Sequence, residues 1–228
     1  MTETAMSIED IIEAADQSGR PLVQDDCLDD DFRSTEGQAQ ALAEYLTLLE
    51  KWNKSMNLVG PAGWEEVFSS LVADSLHLAD FLNSLDLAES PVTLDLGAGA
   101  GLPGIPLRCV WQKGIYNLVE SRQKRSIFMR TALRAMKLPR TEVFQCRAEK
   151  IPPKLLPADL ILSKAFMPWK DLLPFVDPML SPTGRVVILS NDPAPASGET
   201  ELLGFKVEKS LKYRAGDKEH YSWSLVRV

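Results

Sequence analysis

Three glycines at alternate positions, Gly97, Gly99 and Gly101, close the run Val92-Thr93-Leu94-Asp95-Leu96-Gly97-Ala98-Gly99-Ala100-Gly101. An apolar strand here runs straight into a turn whose glycines permit positive φ and let a ligand approach the backbone. A helix follows, and the N–H groups at its start point toward whatever the turn holds. The next apolar segment ends at Leu118-Val119-Glu120, which places a carboxylate 19 residues beyond Gly101. At that separation an acid can accept hydrogen bonds from both hydroxyls of a ribose. The two features together suit a dinucleotide or an adenosyl sulfonium. The spacing G-x-G-x-G, rather than G-x-G-x-x-G, favours the sulfonium. So does Asp95, whose charge suits a cationic methionine moiety and would repel a pyrophosphate. A plain tight connection is the competing reading of the turn alone, and the acid at position 120 weakens it.

A second constellation follows directly. From Ser121 to Thr141 there is no acid, and Arg122, Lys124, Arg125, Arg130, Arg134, Lys137 and Arg140 are basic. Arg130, Arg134 and Lys137 recur at i, i+4 and i+7, one face of a helix. Ile127, Thr131 and Ala135 fall on another face and are expected to pack on the sheet. A basic face beside the predicted ligand turn suits a nucleic-acid backbone, against the alternative of an ordinary solvated face. Trp52, Trp64 and Trp169 are read as packing residues rather than base-stacking platforms.

The net charge of −7 does not exclude such a partner, because it is unevenly distributed. Residues 1–36 hold 11 acids against Arg20 and Arg33, a net of −9, which leaves about +2 for the remainder. The three cysteines, Cys27, Cys109 and Cys146, show no metal-ligand spacing, and two histidines cannot alone build a metal site, so no metal is expected. No apolar run approaches the ~20 residues that span a bilayer. Met1 to Asp16 has early acids and no basic start, so a secretion signal is not expected. A reduced, cytoplasmic setting with no membrane partner is the simplest reading.

The elements that must position these groups follow from periodicity. Residues 1–35 are expected to form an acidic, loosely ordered leader, with a short helix over Ser7–Ala15 capped by Ser7 and Asp10. Its Asp25–Asp31 run is read as solvated rather than as a metal site. Residues 36–90 are expected to form a helical layer, with helices over Glu36–Trp52 and Trp64–Leu82. Residues 91–228 then alternate. Strands are expected at Val92–Leu96, Ile115–Glu120, Glu142–Cys146, Asp159–Ser163 and Arg185–Ser190. Helices are expected at Leu102–Trp111, Ser121–Lys137 and Trp169–Met179. Two final strands, Phe205–Leu211 and Tyr221–Val228, flank Arg214-Ala215-Gly216-Asp217. The pattern predicts an α/β, Rossmann-like fold with a seven-stranded, mostly parallel sheet and an N-terminal helical layer.

Across roughly residues 40–190 the sequence resembles the glucose-inhibited-division family of bacterial 16S ribosomal RNA methyltransferases. The resemblance rests on Leu49-Glu50-Lys51-Trp52-Asn53 with Asn57-Leu58, and on Asp74-Ser75-Leu76. It continues through Leu94 to Leu107, where Gly101-Leu102-Pro103-Gly104-Ile105-Pro106 is more specific than a generic glycine turn. It extends through Leu118-Val119-Glu120-Ser121-Arg122-Gln123-Lys124-Arg125, Arg147-Ala148-Glu149 and Ser163-Lys164-Ala165. This chain has Leu102 where the family usually has Phe, Leu71 where it has His, and Lys164 where it has Arg. It has Ser190-Asn191 near a usual Lys-Gly.

The resemblance implies a class I methyltransferase fold and methyl transfer from S-adenosyl-L-methionine, with S-adenosyl-L-homocysteine as product. The acceptor implied is N7 of a guanine in 16S rRNA, as RNA or in the 30S subunit, and a monomer is expected. Asp95, Gly97, Ala98, Gly99, Gly101, Leu102, Glu120, Ala148 and Glu149 would bind the cofactor. Arg122, Arg125, Arg130, Arg134, Lys137, Arg147 and Lys164 would meet RNA. Lys164 would also serve in catalysis, contacting guanine O6 or a nearby phosphate. Two other readings share these residues: a methyltransferase acting on a protein or small molecule, and a non-catalytic RNA- or cofactor-binding relative. A nicotinamide oxidoreductase is disfavoured by the glycine spacing.

Overall fold

Each apolar segment that alternates with a helical pattern becomes a strand of one sheet. A computed structural model describes residues 6–61, 63–196 and 198–228. The strands are β1 Val92–Leu96, β2 Ile115–Val119, β3 Thr141–Phe144, β4 Ala158–Lys164, β5 Leu180–Ser190, β6 Phe205–Ala215 and β7 Lys218–Arg227. They lie in the order β3-β2-β1-β4-β5-β7-β6. The first five run parallel, and β7 is antiparallel to both β5 and β6. This is the predicted Rossmann-like sheet with its closing antiparallel pair. The hairpin strands extend beyond the predicted limits, meeting at a two-residue turn where Gly216 has φ +59°. Among the described residues no helix is long and apolar enough to cross a membrane.

The helices that position the site are α2 Thr35–Met56, α4 Ala73–Asn83, α5 Gly104–Val110 and α6 Gln123–Met136; the others are α1 Ile8–Gln17, α3 Trp64–Val67 and α7 Trp169–Val176. The single helix expected over Trp64–Leu82 is broken into three parts, because a π-helical turn over Phe68–Val72 separates α3 from α4. Such turns are rare and cluster at functional sites.

The expected loose leader is the main correction. Ser7 and Asp10 do form the predicted capping box on α1. But Ile11, Ala15, Leu22, Leu28 and Phe32 are all buried. The Gln38 amide donates to the carbonyls of Val23 (2.8 Å) and Phe32 (3.0 Å), and Asp29 N–H donates to Gln112 Oε1 at 2.8 Å. A dense run of acids hid an apolar subset that is buried while the carboxylates stay in water. A second correction concerns α6. Its buried face is Ser126, Phe128, Met129, Ala132 and Met136, whereas Ile127 is 43% exposed. Phe128, Met129, Ala132 and Met136, at i, i+1, i+4 and i+8, set the helix phase and turn Ile127 outward.

Asp95 is held inside the β1–β2–α5 junction and is 1% exposed. Tyr116 Oη donates to its Oδ2 at 3.0 Å. A Cβ at Gly104 would sit 2.5 Å from that oxygen and 2.6 Å from Leu118 Cδ2, so the start of α5 needs a residue without a side chain. Burial pushes the Asp95 carboxyl up to about 7, opposed by the Tyr116 hydrogen bond, the Lys164 charge and the Gly104 N–H. Between its ordinary value and about 7 the folded protein keeps a proton that the unfolded chain has released, so rising pH disfavours folding across that window. The full effect above pH 7 has a ceiling of about 4 kcal/mol. Asp95→Asn lacks this ionisation. Thermal denaturation of both proteins should therefore show the stability difference shifting toward the variant from pH 4 to 7 and levelling above. A pH-independent difference would mean the buried carboxyl does not titrate in this range.

Candidate active site

The sheet order reverses direction between β1 and β4, and open α/β sheets bind ligands in the crevice beyond the strand ends at such a point. The strand ends are level there: Leu96 pairs with both Val119 and Ser163, and Val119 pairs with Phe144. The glycine turn is fastened to this edge by two N–H groups, Gly97 (2.9 Å) and Ala98 (3.1 Å), both donating to the Val119 carbonyl. Gly97, Gly99 and Gly101 have φ of +70°, +61° and +83°. The helical layer grips the turn from behind: Tyr45 Oη donates to the Ala100 carbonyl at 3.0 Å, and Ser75 Oγ to the Pro103 carbonyl at 3.0 Å.

Glu120 leaves β2 and folds back over the turn. Its Oε2 accepts from Gly99 N–H at 3.1 Å, and its Oε1 from Arg122 N–H at 2.7 Å. Arg125 Nη1 lies 3.9 Å from Oε2. Only 5% of Glu120 is exposed, yet it borders a cavity of about 430 Å³. That volume lies within the ~300–1,000 Å³ usual for small-molecule sites. A carboxylate has about four lone-pair positions, so the backbone contacts leave room for hydroxyl donors. The fixed carboxylate, positive-φ turn and cavity size fit an adenosyl ligand.

Of the residues predicted for the cofactor, Gly97, Glu120, Ala148 and Glu149 line this cavity, together with Arg122, Arg125 and Arg147. Gly99 reaches it through its N–H on Glu120. Asp95, Ala98, Gly101 and Leu102 do not line it. Asp95 and Ala98 are buried beneath the turn, Gly101 faces Ile105, and Leu102 packs against the core. Sequence reasoning passed over Ser121, Cys146, Ala165 and Phe166, which do line it. A Cβ at Gly97 would lie 2.7 Å from Phe166 Cδ2, so Phe166 covers the turn. The signal was available: a residue just past β4 lies beside β1 once the parallel order is drawn.

Lys164 opens onto a second cavity, also of about 430 Å³, beyond the ends of β4 and β5. Ala165, at φ +52°, borders both cavities. A non-glycine residue held there is strained, and such strain gathers at functional sites. Lys164 Nζ is ion-paired with Asp74 Oδ2, and His220 Nδ1 stands 3.8 Å from Asp74 Oδ1. Trp169, read as a packing residue, lines this cavity, as do Ser190, Asn191 and Trp223, while Trp52 does pack, 5.7 Å from the Phe128 ring. The basic residues Arg130, Arg134 and Lys137 are exposed along α6 and its C-cap, with Arg130 Nη2 donating to the Val143 carbonyl at 3.1 Å.

The fold is shared with solved methyltransferases. A S-adenosylmethionine-dependent methyltransferase from Aquifex aeolicus aligns with a TM-score of 0.51 at 17% identity, covering 71% of this chain and 93% of its own. The sequence is much more closely related to another group. The family model described as rRNA small subunit methyltransferase G matches residues 38–210. Ribosomal RNA small subunit methyltransferase G of Nitratidesulfovibrio vulgaris (strain DP4) is 52% identical over 199 residues, covering 87% of this chain and 90% of its own. Its counterpart in Oleidesulfovibrio alaskensis is 39% identical over 212 residues, covering 90% and 93%. The chain therefore belongs to the rRNA small subunit methyltransferase G family and is a S-adenosylmethionine-dependent rRNA methyltransferase.

Proposed function

We propose that the acceptor is N7 of a guanine in 16S rRNA, presented by RNA or by the assembling 30S subunit. The observation that carries this reading is the nature of the group at the reaction end of the crevice. Lys164 is a donor with no accepting capacity, and one oxygen of its neighbour Asp74 is engaged by it. Guanine N7 has a free lone pair and no proton to lose, so it needs no general base. When bound, S-adenosylmethionine would supply an electrophilic methyl carbon for N7, with its sulphur as the leaving group that keeps the bond's electron pair.

The protein's part is to orient the two reactants, which is worth roughly 7–11 kcal/mol. Glu120 accepts from the ribose hydroxyls. Ala148 and Glu149 frame the adenine. The turn from Gly97 through Gly99 brings backbone close to the methionine moiety, with Gly101 and Leu102 shaping it and Asp95 acting through it. Lys164 donates to the guanine O6. Arg122, Arg125 and Arg147 border the cavity mouth, and Arg130, Arg134 and Lys137 lie along the RNA backbone.

Transfer of labelled methyl groups to undermodified 30S particles, followed by reductive strand scission at N7-methylguanine, tests the reading. No label, or label at another atom, overturns it. Glu120→Ala should weaken S-adenosylmethionine binding by about 10–100-fold in calorimetry, since hydrogen bonds to a charged acceptor are worth roughly 1.5–3 kcal/mol. Undiminished binding would remove Glu120 from the cofactor site. Arg130→Ala with Arg134→Ala should leave cofactor affinity unchanged and weaken RNA binding. It should also flatten the log–log salt dependence by about one unit per side chain. An unaltered slope would show that this face does not meet phosphate.

A further inference from the structure

Asp74 is 1% exposed, yet its Oδ1 has no hydrogen-bond partner among the described residues. Leaving a buried carboxylate oxygen unpaired is costly, and such groups call for an explanation. Asp74 lines the second cavity beside Lys164, and it also lines a neighbouring opening of about 490 Å³ bounded by Leu71, Asn191 and Lys218. It sits on the first turn of α4, directly after the π-helical segment. Ser75, the next residue, is bonded to Pro103, so the same helix turn holds both the glycine loop and this carboxylate. The groups facing Asp74 are Lys164 from β4, His220 from β7 and Tyr213 from β6, the last with its phenol pushed up by burial, by the Asp74 charge and by its approach to that carboxylate.

We infer that Asp74 is the specificity-determining residue that reads guanine, by accepting its N1–H while Lys164 donates to the adjacent O6. The inference rests on the N7-guanine reading above and deepens it. Guanine presents an acceptor, O6, next to a donor, N1–H. The Lys164–Asp74 pair presents a donor next to an acceptor, with the second carboxylate oxygen lacking a hydrogen-bond partner among the described residues and 3.8 Å from His220 Nδ1. Adenine presents the reverse order, N6–H₂ beside the N1 acceptor, and would leave both protein groups facing like partners. Adenine also has an N7 lone pair, so reactivity at N7 does not by itself exclude it, and the edge contact must. With O6 and N1 engaged on this side, N7 lies on the far side of O6. That orients it past Ala165 toward the first cavity.

The pairing has an electrostatic consequence as well. Transfer moves positive charge into the purine ring. An isolated ammonium on O6 would oppose that change, whereas an ammonium neutralised by Asp74 does not. A carboxylate on N1–H favours it, because the N1 proton becomes more acidic as the ring gains charge.

The test uses the full-length protein and 30S particles reconstituted with 16S RNA carrying guanine, inosine, adenine or 1-methylguanine at the mapped acceptor position. Inosine keeps O6 and N1–H and should be methylated within about 10-fold of guanine. Adenine and 1-methylguanine should be slower by ~100-fold or more, as expected where a buried pair is left unmatched. Asp74→Asn should lower kcat/KM on guanine particles by ~100-fold, reduce the preference over adenine, and leave calorimetric S-adenosylmethionine affinity within about twofold. If 1-methylguanine is methylated as fast as guanine by the wild-type protein, the inference is overturned whatever the variant does, and Asp74 only holds Lys164. Methylation of guanine N7 with that outcome would leave the reading of the function intact. Absence of transfer to guanine would bring down both.

Discussion

The Val119 carbonyl accepts from both Gly97 N–H and Ala98 N–H, and the geometry of the crevice depends on that junction. It fixes the tip of β1 to the end of β2 at the point where the chain has just delivered Glu120. Once the turn is held there, Gly99 N–H faces the Glu120 carboxylate at 3.1 Å, and the N–H of Arg122, two residues past Glu120, closes on the other oxygen at 2.7 Å. A carboxylate buried to this degree requires such donors. The glycines matter because the turn needs positive φ at alternate positions and because Phe166 lies against Gly97. A residue with a side chain meets the first requirement only under strain, and at Gly97 its Cβ would clash with Phe166.

The helical layer is part of the same device. Tyr45 from α2 and Ser75 from α4 each donate to a carbonyl of the glycine loop. Tyr45 is fully buried, which pushes its phenol well above the ordinary range and keeps it a neutral donor. The leader in turn secures α2 and α4: Gln38 ties α2 to the leader's carbonyls, while Arg20 Nε donates to His77 Nδ1 at 3.2 Å and meets Asp80 at 3.0 Å. An acidic segment thus supports the structure through its buried apolar side chains, its backbone carbonyls and Arg20 rather than through its carboxylates. At its far end Asp29 lies 3.7 Å from Arg140, at the edge of the basic stretch.

What could be read from sequence was what depends on local pattern. Strand β1 was legible to the residue, and the others to within a few residues, because buried parallel strands are short apolar runs bounded by turns. The turn and Glu120 were legible because their spacing is set by one β-α-β unit. What was not legible depended on neighbours distant in the chain. Asp95 was read as facing a cation, but β-strand alternation and the register Asp95–Leu118 place it toward Tyr116 and α5 instead. Helical spacing puts Ile127 on a different face from the basic residues and so predicts it inward, while the choice of face is made by Phe128 meeting Tyr45 and Trp52. Asp74 was noticed only as part of a motif, since its partner lies 90 residues away on β4.

The two carboxylates at the crevice are used in opposite ways. Glu120 is satisfied by backbone donors before any ligand arrives, so it offers a preorganised acceptor at little further ordering cost. Asp74 is only half satisfied, with one oxygen on Lys164 and the other buried without a hydrogen-bond partner among the described residues. A satisfied group grips any ligand that supplies extra donors, and hence would suit a constant cofactor. An unsatisfied one gains most from the single partner that completes it, and loses most from a partner that does not. On the proposed roles, placing the first at β2 and the second beside β4, with strained Ala165 between them, would divide affinity from discrimination across a single strand crossing.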